Sequence, residues 1–209
     1  MVKQERAART REALVRAAAE AFAEEGFVAA SIAAISRRAG LTSGALHFHF
    51  ESKTALALAV EDRAADAMGR ITRRVGARGE DGNPLRALVA STYTLMDRLA
   101  QDVVVRAGFA LSADVTHRGR VDLRGQWSVW VSELLGEAER AGLLAEGVSP
   151  QDAARVVVAS TVGLEVLGVA EPDWAAPHTL ARIWALLLPR IAADGQALDG
   201  LLDAANKTD

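Results

Sequence analysis

The residues best suited to chemistry lie at positions 31–50, SIAAISRRAGLTSGALHFHF, and they offer polar contact rather than bond making or breaking. Thr42, Ser43, Gly44, His47 and His49 are small or hydrogen-bonding residues grouped around one apolar residue, Leu46. A short helix with so little apolar surface is kept for touching something polar, and the major groove of DNA admits a helix of this size. The same pattern also suits an ordinary helical hairpin. His47 and His49 raise the question of a metal, but residues two apart on a helix point in different directions, and the chain has no Cys to complete a tetrahedral site. No metal and no cofactor are expected. Phe48 and Phe50 are expected to face the core or to pack beneath the following helix. Nor is an enzyme expected: there is no G-x-S-x-G, no Gly-rich phosphate loop, no H-E-x-x-H and no Cys nucleophile, and the four His are scattered.

Two helices and a turn must hold those residues. Ser31 can cap a helix carrying Ile32 and Ile35 on one face, since its hydroxyl can accept from an orphaned backbone N–H. Gly40 stops that helix, because it tolerates the left-handed backbone of a tight exit, and Leu41 can turn inward. Thr42 then caps a second helix, Ser43 to His49, which keeps Leu46 for the core. Ahead of this helix-turn-helix, the spacing of Leu14, Ala18, Ala21 and Phe22 predicts a helix from about Glu5 to Glu25, ended by Gly26. Lys3, Arg6, Arg9 and Arg11 cluster at its start, within reach of phosphates or of a neighbouring minor groove, or simply as a solvated arm.

Charge separates the two ends of the chain. Residues 1–78 hold 13 Lys+Arg against 9 Asp+Glu, a net +4, and the remainder holds 11 against 18, a net −7. The basic end carries the modest footprint of a small DNA-binding domain, and the acidic end should stay off phosphates.

The run at 26–57, GFVAASIAAISRRAGLTSGALHFHFESKTALA, resembles the DNA-binding domain of the tetracycline-repressor (TetR) family. The matching features are Gly26-Phe27, Ser31-Ile32, Ala39-Gly40-Leu41-Thr42, Gly44, Leu46, His49-Phe50, and Ser52-Lys53 followed by Leu56. The opening QERAARTREALVRAAAEAF and the form GALHFHF are similar to one branch, the γ-butyrolactone autoregulator receptors of filamentous antibiotic-producing bacteria. That branch commonly has Lys-Gly-Ala-Leu-Tyr-Phe-His-Phe where this chain has residues 43–50. Ser43 and His47 are departures, removing a cationic contact and shortening an aromatic one, which bears on operator sequence and affinity.

The resemblance implies an all-α protein with an N-terminal three-helix, helix-turn-helix domain at 1–52. A helical ligand-binding and dimerisation domain would follow at 53–209. It implies DNA contacts from Lys3, Arg6, Arg11, Ser31, Thr42, Ser43, Gly44, His47 and His49, with Lys53 as a phosphate-binding lysine. It also implies a homodimer through the last two long helices, and a pocket that includes Trp127. Leu88, Thr92, Met96, Phe109, Trp130, Val131, Thr161 and Leu164 are grouped with that pocket, with Thr161 and Thr92 as hydrogen-bonding partners of ligand oxygens. The expected activity is repression at a palindromic DNA operator, relieved by a small apolar signalling molecule of the γ-butyrolactone or butenolide type. A regulator answering an unrelated drug or antibiotic intermediate, and a helical carrier without DNA activity, are the alternatives.

Composition agrees with an all-α reading. Half of the 209 residues are hydrophobic yet only 5% are aromatic, which favours a substantial core of closely packed helices. The absence of Cys suits a reducing cytoplasm, and no apolar run is long enough for a membrane span or an export signal. Ser52 can cap a long fourth helix to about Val75, and residues 76–83, GARGEDGN, read as a linker. Pro84 opens a fifth helix after the cap Asn83, and Asp102 caps a short sixth. Residues 113–125 read as loop before a seventh helix carrying Trp127 to Ala138. Ser149-Pro150-Gln151-Asp152 is a strong helix start, and the segment to Ala170 is apolar almost all round, as in a helix buried on every side. A ninth helix spans Leu180 to Pro189, and fraying is expected beyond Ala193.

Overall fold

A computed structural model describes residues 2–77, 82–117 and 119–193. Part of the expected linker, 78–81, and the expected fraying beyond Ala193 lie outside the described residues. Among the described residues the fold is all-α: α1 (Val2–Ala29), α2 (Ile32–Arg38), α3 (Ser43–His49), α4 (Lys53–Ala77), α5 (Pro84–Gln101), α6 (Val103–Ala113), α7 (Leu123–Arg140), α8 (Pro150–Leu167) and α9 (Pro177–Ile191). A 3-10 turn, Pro172–Ala175, precedes α9. An isolated antiparallel bridge joins Leu144 and Ala192.

The boundaries follow local chemistry. Ser31, Thr42, Asp102 and Ser149 each accept a backbone N–H in the first turn of the helix they precede. Gly26 breaks α1 at φ 78° and ψ 168°, so the run to Ala29 is two pieces with the break at the expected residue. Gly40, at φ 69°, makes the turn between α2 and α3.

The chain packs as two compact units. The first comprises the described residues of Met1–Ala67 and Gln101–Arg124. Its core joins Leu14, Ala18 and Phe22 of α1 to Ile35, Leu46, Phe50, Leu56 and Val60, and takes in Ala107 and Leu111 of α6. The unit therefore extends past residue 52, because the first turns of α4 and one face of α6 complete the apolar surface that three short helices leave open. Gly108 sets how closely α6 approaches α4. A Cβ there would lie 2.3 Å from the Ala64 Cβ and 3.5 Å from the Val60 carbonyl oxygen. Gly108→Ala should therefore cost about 1–3 kcal/mol through overpacking against the Ala64 methyl, which has no torsion by which to turn aside. Thermal unfolding should show a midpoint several degrees lower; an unchanged midpoint would mean the helices are not this close.

A buried histidine–carboxylate contact lies within the same unit. His117 Nε2 lies 3.4 Å from Glu61 Oε2, with both side chains fully buried, and the Arg120 N–H donates to that carboxylate oxygen at 3.4 Å. The His117 ring packs 4.7 Å from the Phe27 ring. The scattered His of the sequence thus include one with a carboxylate partner 56 positions away.

The second unit comprises the described residues of Met68–Ala100 and Gly125–Asp209. Its interior is lined by Leu88, Val89, Thr92 and Met96 of α5, Trp127, Val131 and Leu135 of α7, Val157, Thr161 and Leu164 of α8, and Leu180, Trp184 and Leu188 of α9. Within its own chain α8 is covered on one side only. It ends at Leu167, and Val156, Val166 and Leu167 are 46–51% exposed within the single chain.

Candidate nucleic-acid interface and ligand site

The reading head is built from two capped turns. Thr42 Oγ1 accepts from the Ala45 N–H at 3.1 Å and Ser31 Oγ accepts from the Ala34 N–H at 3.2 Å. Both hydroxyls remain exposed, so each can still meet solvent or DNA. Leu46 is fully buried, and with α3 anchored by that residue, Ser43, Gly44 and His47 emerge on the exposed side. His49 is half-buried. Arg6 is exposed in α1, and the Arg11 guanidinium sits 4.9 Å over the Phe50 ring, tying the first helix to the end of α3. The side chain of Lys3 lies outside the described residues.

Two expectations are corrected. Phe48 does not pack inward: it is 84% exposed, and only Phe50 joins the core. Leu46 and Phe50 are one turn apart on the buried side, which leaves Phe48, about 200° round from Leu46, facing out. Lys53 is not free for a phosphate. Its Nζ donates to the carbonyls of Phe27 (2.6 Å), Val28 (3.0 Å) and Ala30 (2.9 Å) and stands 4.7 Å from the Phe27 ring centroid. An ammonium has three donors, and all three are committed. Lys53 thereby ties together the carbonyls at the end of α1 just ahead of the Ser31 cap, from which α2 starts. Arg38 adds a second tie, reaching Glu24 Oε2 at 2.6 Å; the bond from its guanidinium holds the Glu24 carboxyl below the usual carboxylate range.

In the second unit the expected ligand residues Leu88, Thr92, Met96, Trp127, Val131, Thr161 and Leu164 are all buried, and Trp130 is half-buried. Phe109 is buried too, but within the first unit. The two threonines are already engaged. Thr161 Oγ1 accepts from Trp127 Nε1 at 2.8 Å and is 3.0 Å from the Val157 carbonyl to which it donates. Thr92 Oγ1 accepts from Trp184 Nε1 at 2.8 Å and donates to the Val89 carbonyl at 2.7 Å. Each hydroxyl has spent its one proton, so neither can donate to a ligand oxygen without giving up a bond. Among the described residues of this unit, the side-chain N and O atoms buried without a partner are the Tyr93 hydroxyl and Trp130 Nε1. Burial pushes the Tyr93 phenol up from its ordinary range, so it stays a protonated donor. Sequence reasoning passed over Tyr93, although it is the one Tyr in the chain. A separate open groove of about 500 Å³ lies between α7 and α8, lined by Ser128, Ser132, Ala154, Arg155, Val158 and Val162 among others; it shares no residue with the expected ligand set.

Residues 14–60 match the family described as bacterial regulatory proteins, tetR family. The chain is 32% identical over 196 residues to the A-factor receptor protein of Streptomyces griseus, an alignment covering 93% of this chain and 68% of the receptor. Its fold is similar to the crystal structure of a γ-butyrolactone receptor described as ArpA-like, with a TM-score of 0.84, 26% identity, and 98% and 100% of the two chains covered. It is also similar to CprB of Streptomyces coelicolor in complex with its biological operator sequence, with a TM-score of 0.81, 27% identity and 97% of each chain covered.

Proposed function

Because this chain belongs to the TetR family of bacterial regulatory proteins, we propose that it is a ligand-responsive transcriptional repressor that binds a palindromic DNA operator as a homodimer. Its release signal would be a small γ-butyrolactone or butenolide-type molecule. The observation that carries the DNA half is α3, capped by Thr42 and anchored by Leu46, with Ser43, Gly44 and His47 exposed. The likeness to an A-factor receptor and to a γ-butyrolactone receptor structure supports the ligand class. Within the second unit, the Tyr93 hydroxyl and Trp130 N–H are the donors suited to a lactone carbonyl, which accepts and cannot donate. Nothing in this function requires catalysis. No helix among the described residues is long and apolar enough to cross a membrane, and an operator partner calls for the cytoplasm.

A ligand releases DNA only by binding the DNA-incompetent arrangement more tightly, so the two equilibria are reciprocally coupled. The continuous helix α4, Lys53–Ala77, is the element suited to carry that coupling. In covalent order, residues 1–52 would make the DNA contacts, and residues 53–209, whose first α4 turns and α6 also complete the core of the first unit, would carry the ligand and dimer functions. The deciding experiment selects duplexes from a randomised library with the wild-type protein, then titrates the complex with a panel of γ-butyrolactones and butenolides. A pseudo-palindrome released by one of them is expected. Release only by an unrelated hydrophobic drug would overturn the ligand class, and selection of no duplex would leave a helical carrier.

The exposed Val156, Val166 and Leu167 of α8 and Leu186 of α9 support an isologous contact between subunits through these two helices. A Cβ at Gly163 would have no side chain or neighbouring element of the described chain within 4 Å, so the position is open within the single chain. Gly163→Arg should therefore leave the helical circular-dichroism signal intact while converting a dimer at micromolar concentration to monomer, read by sedimentation velocity. A Gly163→Arg dimer as stable as wild type removes that site from the interface, and a monomeric wild type removes the interface.

A further inference from the structure

The exposed aromatic on the reading helix is unused by the contacts described so far. Phe48 is 84% exposed, whereas Phe50, two residues on, is 5% exposed beneath Arg11. At about 100° per residue, Gly44 and Phe48 share the arc of α3 opposite Leu46, with Phe48 one turn beyond Gly44 and His47 on the flank between Leu46 and Phe48. A Cβ at Gly44 would have only Thr42 Oγ1 near it, at 3.9 Å, so the surface beside the ring is open rather than filled by a neighbour. The Phe48 ring stands edge-on to His49, with centroids 5.3 Å apart and planes at 88°, which limits the ring's freedom before anything binds. Ser43 and His47 beside it are polar and exposed, so Phe48 is a single apolar post in a polar surface, too small for a protein-docking patch.

A phenyl ring neither donates nor accepts in the pattern that distinguishes base edges. The apolar feature a base presents in the major groove is the C5-methyl of thymine. We propose that Phe48 is a specificity-determining residue that packs on a thymine methyl in each half of the operator. This inference rests on the operator-binding function proposed above and names one position within it. Ser43 and His47 supply the hydrogen-bonding contacts to neighbouring bases, and Phe48 adds a contact that no change in their protonation or hydrogen bonding would supply.

The test uses the full-length protein and a duplex that wild type has selected from a randomised palindromic library. Each symmetric pair of thymines is replaced in turn by 2′-deoxyuridine, which keeps the base pairing and the phosphates and deletes only the methyl. At one pair, wild type should lose about ten-fold in affinity, the scale expected for two apolar methyl contacts. Phe48→Ala should bind the thymine and uracil forms of that duplex equally, and Phe48→Leu should restore part of the preference. The melting midpoint of Phe48→Ala should match wild type, since the side chain is exposed. Equal uracil penalties in wild type and Phe48→Ala, or no thymine pair with a penalty, overturn the assignment while operator binding stands. Wild type selecting no duplex overturns the operator function itself.

Discussion

Trp127→Ala should destabilise the second unit by about 3–5 kcal/mol, the scale of removing a buried indole from a packed core. Trp127 is 1% exposed, and its N–H is held by Thr161 at 2.8 Å. Alanine would open a large cavity and strip Thr161 of a partner at once. An alanine variant that no longer answers ligand would thus report a damaged core as readily as a lost contact. Trp127→Phe separates the two. It keeps most of the ring volume and deletes the N–H, so its stability loss should be about 1 kcal/mol, the net value of one hydrogen bond. If the indole is the flat wall on which a lactone ring packs, Trp127→Phe should hold the selected operator as tightly as wild type and need several-fold more lactone for release. Thr161→Val should show the converse pattern, a stability loss from the orphaned indole N–H with operator binding kept. A Trp127→Phe protein released at the wild-type lactone concentration would take Trp127 out of the ligand site.

The ends of the helices were legible because they are decided within three or four residues. A Ser or Thr hydroxyl bonding the N–H three residues ahead, as at Ser31 and Thr42, needs no knowledge of the rest of the chain. Nor does a glycine in the left-handed region, as at Gly26 and Gly40. Phe48 was legible in principle. Leu46 and Phe50 share a face at helical spacing and Phe48 does not, so counting around α3 would have turned it outward. The partners of long side chains were not legible. Lys53 finds carbonyls 23–26 residues earlier, Trp127 finds Thr161 34 residues later, and Thr92 meets Trp184 92 residues away. Those distances are bridged by packing, and local pattern carries no record of them. For α8 the ambiguity was of another kind. Apolar residues all round a helix do not say which face is covered by its own chain, and Val156, Val166 and Leu167 turned out to be the uncovered ones.

Lys53→Met should lower the stability of the first unit by about 2–4 kcal/mol, because one substitution deletes three charge-assisted hydrogen bonds and leaves three carbonyls to find other donors. Met keeps the length and apolar stem of the side chain, so packing against Phe27 is retained and the loss is assigned to the ammonium. Since the Phe27, Val28 and Ala30 carbonyls lie immediately before the Ser31 cap, α2 loses the fixed point from which it starts. Operator affinity should fall by ten-fold or more. What distinguishes this from a lost phosphate contact is salt. A lysine that neutralises a phosphate contributes to counterion release, and deleting it flattens the slope of log affinity against log salt by about one for each subunit. A lysine whose three donors are spent on its own backbone contributes nothing to that slope. The expected result is therefore a lower melting midpoint and weaker operator binding at every salt concentration, with the salt slope unchanged. A slope reduced by about two for the dimer, with the melting midpoint preserved, would return Lys53 to the phosphate backbone and remove it from the scaffold of the reading head.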